Sequence, residues 1–462
     1  MRRHAFYCLL GVGLALATAS TAAAMDALSQ WQPGLMYVGQ QPAYASDVAE
    51  CQEPYACGAP MADQCGYAVC EQTGGGGCGP RCGAGCGSCR KPPVFFDAWV
   101  AQGFTGNPDH PNDNFNGPVT FNDRANEYQM NQLYLAFGRR VDAARHAWDI
   151  GGRVDLLYGT DYFFTTAAGL ETRIDGSPKW NSSIGPRGTG AAMYGLAMPQ
   201  LYAEVFAPIG NGMTVKMGHF YTIIGHESVM APENFFYSHS YSMQYGEPFT
   251  HTGLLATYHA TPSLELHAGF TRGWDTWEDP NNDLGALAGV TWTSPDKWTS
   301  LSLAVHTGNE DPAGQRNRTM YSLVFSRYVT DRLKYVFQHD LGTEDNAATL
   351  GNSRVDGNWY SINQYLIYQL NCTTSLGLRV EWFRDENSTR VFNAPADVVQ
   401  GSNYTELTLG MNWKPLEQVV VRPELRWDWS DVRAPSIGAT GMFDDFTKRN
   451  QFLLGLDVIV RR

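Results

Sequence analysis

Between His219 and Gly253 the chain gathers residue types that could do chemistry: His226 beside Glu227, then Glu233, Ser238 beside His239, and Glu247, set among glycine and aromatic residues. Three kinds of chemistry suit such a set. A serine next to a histidine suggests nucleophilic catalysis, but a working dyad needs side chains that meet in space, which sequence neighbours seldom do. Six histidines between His219 and His267 suggest a metal site, yet no H-E-x-x-H or comparable ligand spacing occurs and no metal is assigned. The third is electrostatic, in which a polar, acidic loop narrows a water-filled passage and sorts solutes by charge.

A second cluster is sulfur. Cys51, Cys57, Cys65, Cys70, Cys78, Cys82, Cys86 and Cys89 lie in a glycine-rich stretch that cannot bury an apolar core, so cross-links or metal would have to order it. An even count in an exported chain favours disulfides with the connectivity open, whereas paired C-x2-C zinc spacing is absent and only Cys86 to Cys89 fits half of it. The remaining alternatives are a disordered, low-complexity linker, or cysteines that cross-link neighbouring molecules such as an envelope partner. Cys372, far from the others, reads as a lone thiol in a turn.

The elements that position these groups are strands. From Val419 to Trp429, Val419, Val421, Leu425, Trp427 and Trp429 alternate with Val420, Arg422, Glu424, Arg426 and Asp428, so one face is apolar and the other charged. Sixteen such segments begin near residues 95, 127, 147, 199, 213, 249, 263, 285, 298, 319, 332, 358, 374, 403, 418 and 449. Brief links such as Pro208 to Gly212, Ala260 to Pro262, Ser294 to Lys297, Asn371 to Thr373 and Lys414 to Glu417 carry turn residues. They alternate with long polar links such as Asn107 to Arg124, Asp161 to Met198 and Glu386 to Gly401. Short turns on one rim and long loops on the other are the pattern of a transmembrane antiparallel up-and-down β-barrel, here about 16 strands within a range of about 12 to 18.

No sustained helical periodicity and no apolar run long enough for a membrane helix follows residue 24. Before it, Arg2 and Arg3, the apolar run from Ala5 to Ala19 and Ala22-Ala23-Ala24 read as a secretory signal cut after Ala24. The expected organisation is therefore a signal over 1–24, a Cys/Gly-rich periplasmic extension over 25–93 and an outer-membrane barrel over 94–462. A net charge of -13 argues against nucleic acid as a partner.

Parity assigns a pore wall. Asp149, Asp155, Glu204, Glu265, Asp340, Glu381, Glu406, Glu424, Asp428 and Asp457 face inward with Arg153, Lys216, Lys334, Arg379, Arg422 and Arg426, ten acids against six bases. A barrel of sixteen strands is too wide for its own side chains to fill, so an aqueous channel with weak cation preference is expected.

The block Gly225-His226-Glu227, Asn234-Phe235-Phe236-Tyr237-Ser238-His239-Ser240 and Glu247-Pro248-Phe249-Thr250-His251-Thr252-Gly253 resembles the core of the OmpL-like family of bacterial outer-membrane β-barrel porins. The resemblance covers about residues 95–462 and leaves the cysteine-rich leader unexplained. It implies passive diffusion of small polar solutes and ions, with no enzyme activity and no cofactor, in a homotrimer surrounded by outer-membrane lipid. It also implies that the third long loop folds into the lumen, with His226, Glu227, Glu233, His239 and Glu247 across a gap from Arg153, Arg379, Arg422 and Arg426. A non-conducting structural or adhesive protein anchored through its leader is the rival class. The chain departs from the wider barrel pattern by ending on Arg461-Arg462 rather than an aromatic residue.

Overall fold

The computed structural model describes residues 94–143, 147–182, 193–350, 353–391, 401–433 and 440–462. The expected signal and cysteine-rich extension lie outside them. Sixteen strands form one closed antiparallel barrel in which each strand pairs with its sequence neighbours and β1 pairs with β16. They are β1 (Val94–Gly106), β2 (Tyr128–Arg139), β3 (Asp149–Gly159), β4 (Gly195–Ala207), β5 (Met213–Tyr221), β6 (Thr250–Thr261), β7 (Leu264–Thr271), β8 (Gly285–Thr293), β9 (Thr299–Asn309), β10 (Asn317–Tyr328), β11 (Leu333–Leu350), β12 (Ser353–Asn371), β13 (Thr374–Asp385), β14 (Ser402–Leu416), β15 (Val419–Ser430) and β16 (Asn450–Arg461).

Closure leaves no sheet edge, which is what a β-structure in hydrocarbon requires. The outer face is a belt of exposed apolar side chains, Ile150, Tyr158, Leu376, Leu409, Leu425, Trp427 and Leu454 among them. On β15 and β16 the partners Leu425 with Leu454 and Trp427 with Phe452 face outward, while Arg422 lies opposite Asp457 on the inner face. At the seam Arg461 Nη2 meets Asp97 Oδ2 at 2.6 Å.

Two expectations are corrected. β11 and β12 run for 18 and 19 residues, so the long loop expected before residue 358 is instead the upper part of a hairpin. Cys372, expected to be a lone thiol, is disulfide-bonded.

Parity makes a direct prediction. Leu425→Arg places a guanidinium on the lipid face at mid-strand and should cost about 2–4 kcal/mol. Reversible chemical unfolding of the barrel in lipid vesicles would measure it, with Val419→Arg at the rim costing far less.

Candidate functional site

The third long loop, residues 222–249, leaves β5, crosses the lumen and returns to β6, and nearly all of it is buried. A buried loop brings N–H and C=O groups that must find partners, and ordinary loops avoid this by staying on the surface. Here the inner wall supplies the partners. Arg379 Nη1 donates to the Ser238 carbonyl at 2.7 Å, Arg422 Nη1 to the carbonyls of Ala231 at 3.0 Å and Asn234 at 2.8 Å, and Arg426 Nη1 to that of His239 at 2.5 Å. Glu424 accepts from the backbone N–H of Tyr237 at 3.0 Å and Ser238 at 3.1 Å. Glu381 accepts from those of Tyr241 at 2.5 Å and Ser242 at 2.7 Å.

The sequence-predicted loop residues separate. Glu227 accepts from Arg379 Nη1 at 2.7 Å, from Ser240 N at 2.9 Å and from the Tyr365 hydroxyl at 3.0 Å, and its carboxylate meets His239 Nδ1 at 3.1 Å. The His226 backbone N–H donates to Gln338 Oε1 at 3.1 Å, and its ring packs on Tyr365. Glu247 accepts from Gln338. Glu233 is exposed near the β1–β16 seam, 3.9 Å from Arg461.

Two expectations about charge change as a result. The loop acids and the wall arginines were expected to face each other across water, but Arg379 is in contact with Glu227 and Glu406, Arg422 with Asp457, Arg426 with Asp428, and Arg153 with Asp155 on its own strand. The wall was expected to line a wide aqueous channel. Of its ten acids and six bases, only Asp149, Glu204 and Glu265 and Arg153, Lys216 and Lys334 keep accessible surface, three of each sign and mostly near the short-turn rim.

Residues that charge and motif reasoning missed do much of the holding. Gln132 donates to Val229 O at 2.6 Å and accepts from Ala231 N at 3.1 Å. Trp359 Nε1 donates to Gly246 O at 2.9 Å, and the first long loop caps the third through Thr120 N to Gln244 at 2.5 Å. The cross-strand pair Gly377 and Gly410 leaves a socket for two rings: a Cβ on Gly377 would lie 2.2 Å from Phe235, and one on Gly410 2.9 Å from Phe236. Inward glycines paired across strands are the signal from which this could have been read. Tyr241 and Tyr245 of the loop join Trp274, Trp359, Phe383, Tyr404 and Phe443 in one buried apolar cluster toward the long-loop rim.

A closed sixteen-stranded barrel, apolar outside and polar within, with a loop seated in its lumen, is the arrangement on which the comparisons bear. Residues 93–461 match the family described as Putative beta-barrel porin-2, OmpL-like. The chain belongs to this family. Among solved structures the OmpL-like barrel is similar to the outer membrane channel DcaP of Acinetobacter baumannii, with 12% identity and a TM-score of 0.50 over 80% of this chain and 97% of that one. It is also similar to the anion-selective porin from Comamonas acidovorans, with 9% identity and a TM-score of 0.50 over 80% of this chain and 99% of that one. At such identities the likeness shows the fold alone. No curated protein matches the chain. The family places this barrel in the outer membrane with a porin's role.

Three carboxyls in the outer loops respond to pH. Burial raises Asp161, Glu171 and Glu310 each to about 7, from ordinary values near 4. Their folded forms hold protons that the unfolded chain has released, so the stability they add is complete in acid and is lost as pH rises from about 4 through about 7. Glu227 behaves oppositely, because Arg379 and His239 outweigh its burial and hold it well below the usual carboxylate range. Proteolysis of the outer loops in the folded protein should therefore quicken between pH 5 and pH 8 while the third loop stays protected. Arg379→Ala, which strands Glu227 and Glu406, should loosen the third loop by about 3–5 kcal/mol. Gly377→Val should do so by filling the Phe235 socket. In both variants the barrel should remain heat-modifiable on gels while the loop becomes cleavable.

Proposed function

We propose that the protein is an outer-membrane porin for passive diffusion of small polar solutes and ions, with the third loop narrowing the path and a weak preference for cations. The observation that carries this reading is the uncovered part of the inner wall. On the side away from the loop's main contacts, Glu204, Lys216, Glu265 and Lys334 keep accessible surface among Thr257, Ser302 and Ser326, a polar band that a conducting path needs. With three accessible charges of each sign, the wall no longer supports a cation preference. Support comes instead from the long-loop rim, where Lys448 pairs with Asp109 and Asp444 while Asp113, Asp279, Asp283, Asp356 and Asp445 add further acids that attract cations until salt screens them. Assembly as a homotrimer within outer-membrane lipid is part of the same proposal, tested by cross-linking in detergent.

One observation favours the rival reading of a non-conducting structural or adhesive protein anchored through its leader. The loop and the aromatic cluster it joins bury most of the charged wall. Planar-bilayer recording separates the two. The porin reading expects small discrete conductance steps, a slightly cationic reversal potential in a salt gradient, and larger steps for Arg379→Ala. Silence of both the native protein and the variant would favour the rival, and a clear anionic reversal potential would refute the cation preference.

A further inference from the structure

Cys372 is disulfide-bonded, and the sequence leaves few candidates for the other sulfur. Of the ten cysteines it alone follows residue 93, since Cys8 lies in the expected signal and the other eight run from Cys51 to Cys89 in the leader. No second cysteine of the barrel can serve. The bond therefore leaves the barrel, either for the leader of the same chain or for another molecule.

The place of Cys372 favours the leader. It is exposed in the short turn between β12 and β13, where Asn371 Oδ1 accepts from Thr373 N at 2.9 Å and Thr373 Oγ1 at 3.0 Å, and Lys414 N donates to Thr373 O at 2.8 Å. The leader joins the barrel at the same rim, because β1 and β13 are both odd strands of an antiparallel ring and both start there. The register gives the span. Partners run from Val100 to Val460, from Val460 to Val419, from Val419 to Leu416 and, one bulge along β14, from Trp413 to Thr374, so Cys372 lies nearly level with Val100 along the hydrogen-bond direction. Four strand spacings of about 4.8 Å, with the six residues from Val100 back to Val94 at about 3.3 Å each, put Cys372 roughly 28 Å from Val94 around the rim. A chain reaches at most about 3.6 Å per residue, and a disulfide adds about 6 Å between Cα atoms. Cys89, five residues before Val94, falls short of that span, whereas Cys86, eight residues before it, reaches with slack. Loop closure favours the shorter of the tethers that reach, which puts Cys86 first. A thiol on so short a tether meets Cys372 at a millimolar effective concentration, which gives it the advantage over a neighbouring molecule.

We propose that the leader docks on the short-turn rim of its own barrel through a disulfide between Cys372 and a leader cysteine, Cys86 by reach. Each thiol gives up its proton, the two sulfurs join, and the two electrons pass to a disulfide-bearing oxidant that leaves as a dithiol. The linkage runs from the start of β1 past β16, β15 and β14 to β13, over the exposed Pro415, Leu416, Glu417 and Gln418 of the β14–β15 turn. It therefore bridges the β1–β16 pairing that closes the sheet, and it acts there as a covalent staple beside the Arg461–Asp97 ion pair. It goes beyond the porin reading and holds whether or not the barrel conducts.

The full chain would be exported in a diderm host, its free thiols alkylated before solubilisation, and the protein run on a non-reducing gel. The monomer band, digested without reduction, should yield by mass spectrometry a peptide containing Cys372 joined to a leader peptide containing Cys86. This mapping needs no variant. For the staple, the temperature at which the folded band converts to the unfolded one is measured with and without reductant. Reductant should lower it by a few degrees in the native protein and leave Cys372→Ser, already lower, unmoved. Cys372 recovered from the folded monomer with the alkyl label would overturn the proposal, as would a Cys372 linkage found only in a reducible dimer, which would assign it to a second copy. A linked monomer whose conversion temperature ignores reductant would overturn the staple. Conductance is recorded separately, so failure here and failure of the porin reading are distinguishable.

Discussion

The structure depends on one constraint: a loop drawn into the middle of a barrel must have its backbone polar groups paired where water is scarce. Each buried N–H or C=O left alone costs about as much as a lost hydrogen bond, and a loop of this length brings dozens. The barrel meets the demand with long charged side chains on the inner face. Arginines reach the carbonyls of Ala231, Asn234, Ser238 and His239, and glutamates receive the N–H groups of Tyr237, Ser238, Tyr241 and Ser242. The charges then neutralise one another along the wall, as Arg422 does with Asp457 and Arg379 with Glu406. A ladder of alternating charge on β13 to β16 is therefore a scaffold for a loop before it is a lining for water.

Why the fold was legible follows from the same strands. The side-chain period of two cannot slip by one residue without moving Arg422, Glu424, Arg426 and Asp428 into lipid, so faces and register were readable from alternation alone. Turn residues at Pro208 to Gly212 or Ser294 to Lys297 fixed the short rim. β12 was the strand least well placed, because its first residues leave the membrane zone and lose the apolar outer face that marks the rest.

The site was legible only by half. Parity states which face a residue occupies, and Arg379 and Glu424 share the face that meets the third loop. It is silent on what stands opposite them, since an arginine facing water and one facing a loop carbonyl have the same neighbours in sequence. The wall was therefore read as a channel lining with a transverse field, when most of its charges are consumed in contacts. The uncharged holders Gln132, Gln338 and Trp359 escaped notice because they carry no pattern. The paired glycines at 377 and 410 were visible but looked like weak points in strands rather than sockets for Phe235 and Phe236.

The seat of the loop also bears on how the barrel is built. Tyr237 lies against Gly103 on β1, Arg422 on β15 holds the loop at Ala231 while gripping Asp457 on β16, and β1 and β16 are the two strands whose pairing closes the sheet. The loop thus straddles the pairing that closes the sheet. A chain whose loop is still outside would have to close over an empty, unpaired wall, whereas one whose loop is seated brings the two ends of the sheet together on a shared template. Seating the loop and closing the sheet therefore draw on the same contacts, so the wall that holds the loop is complete only once the two ends of the sheet meet.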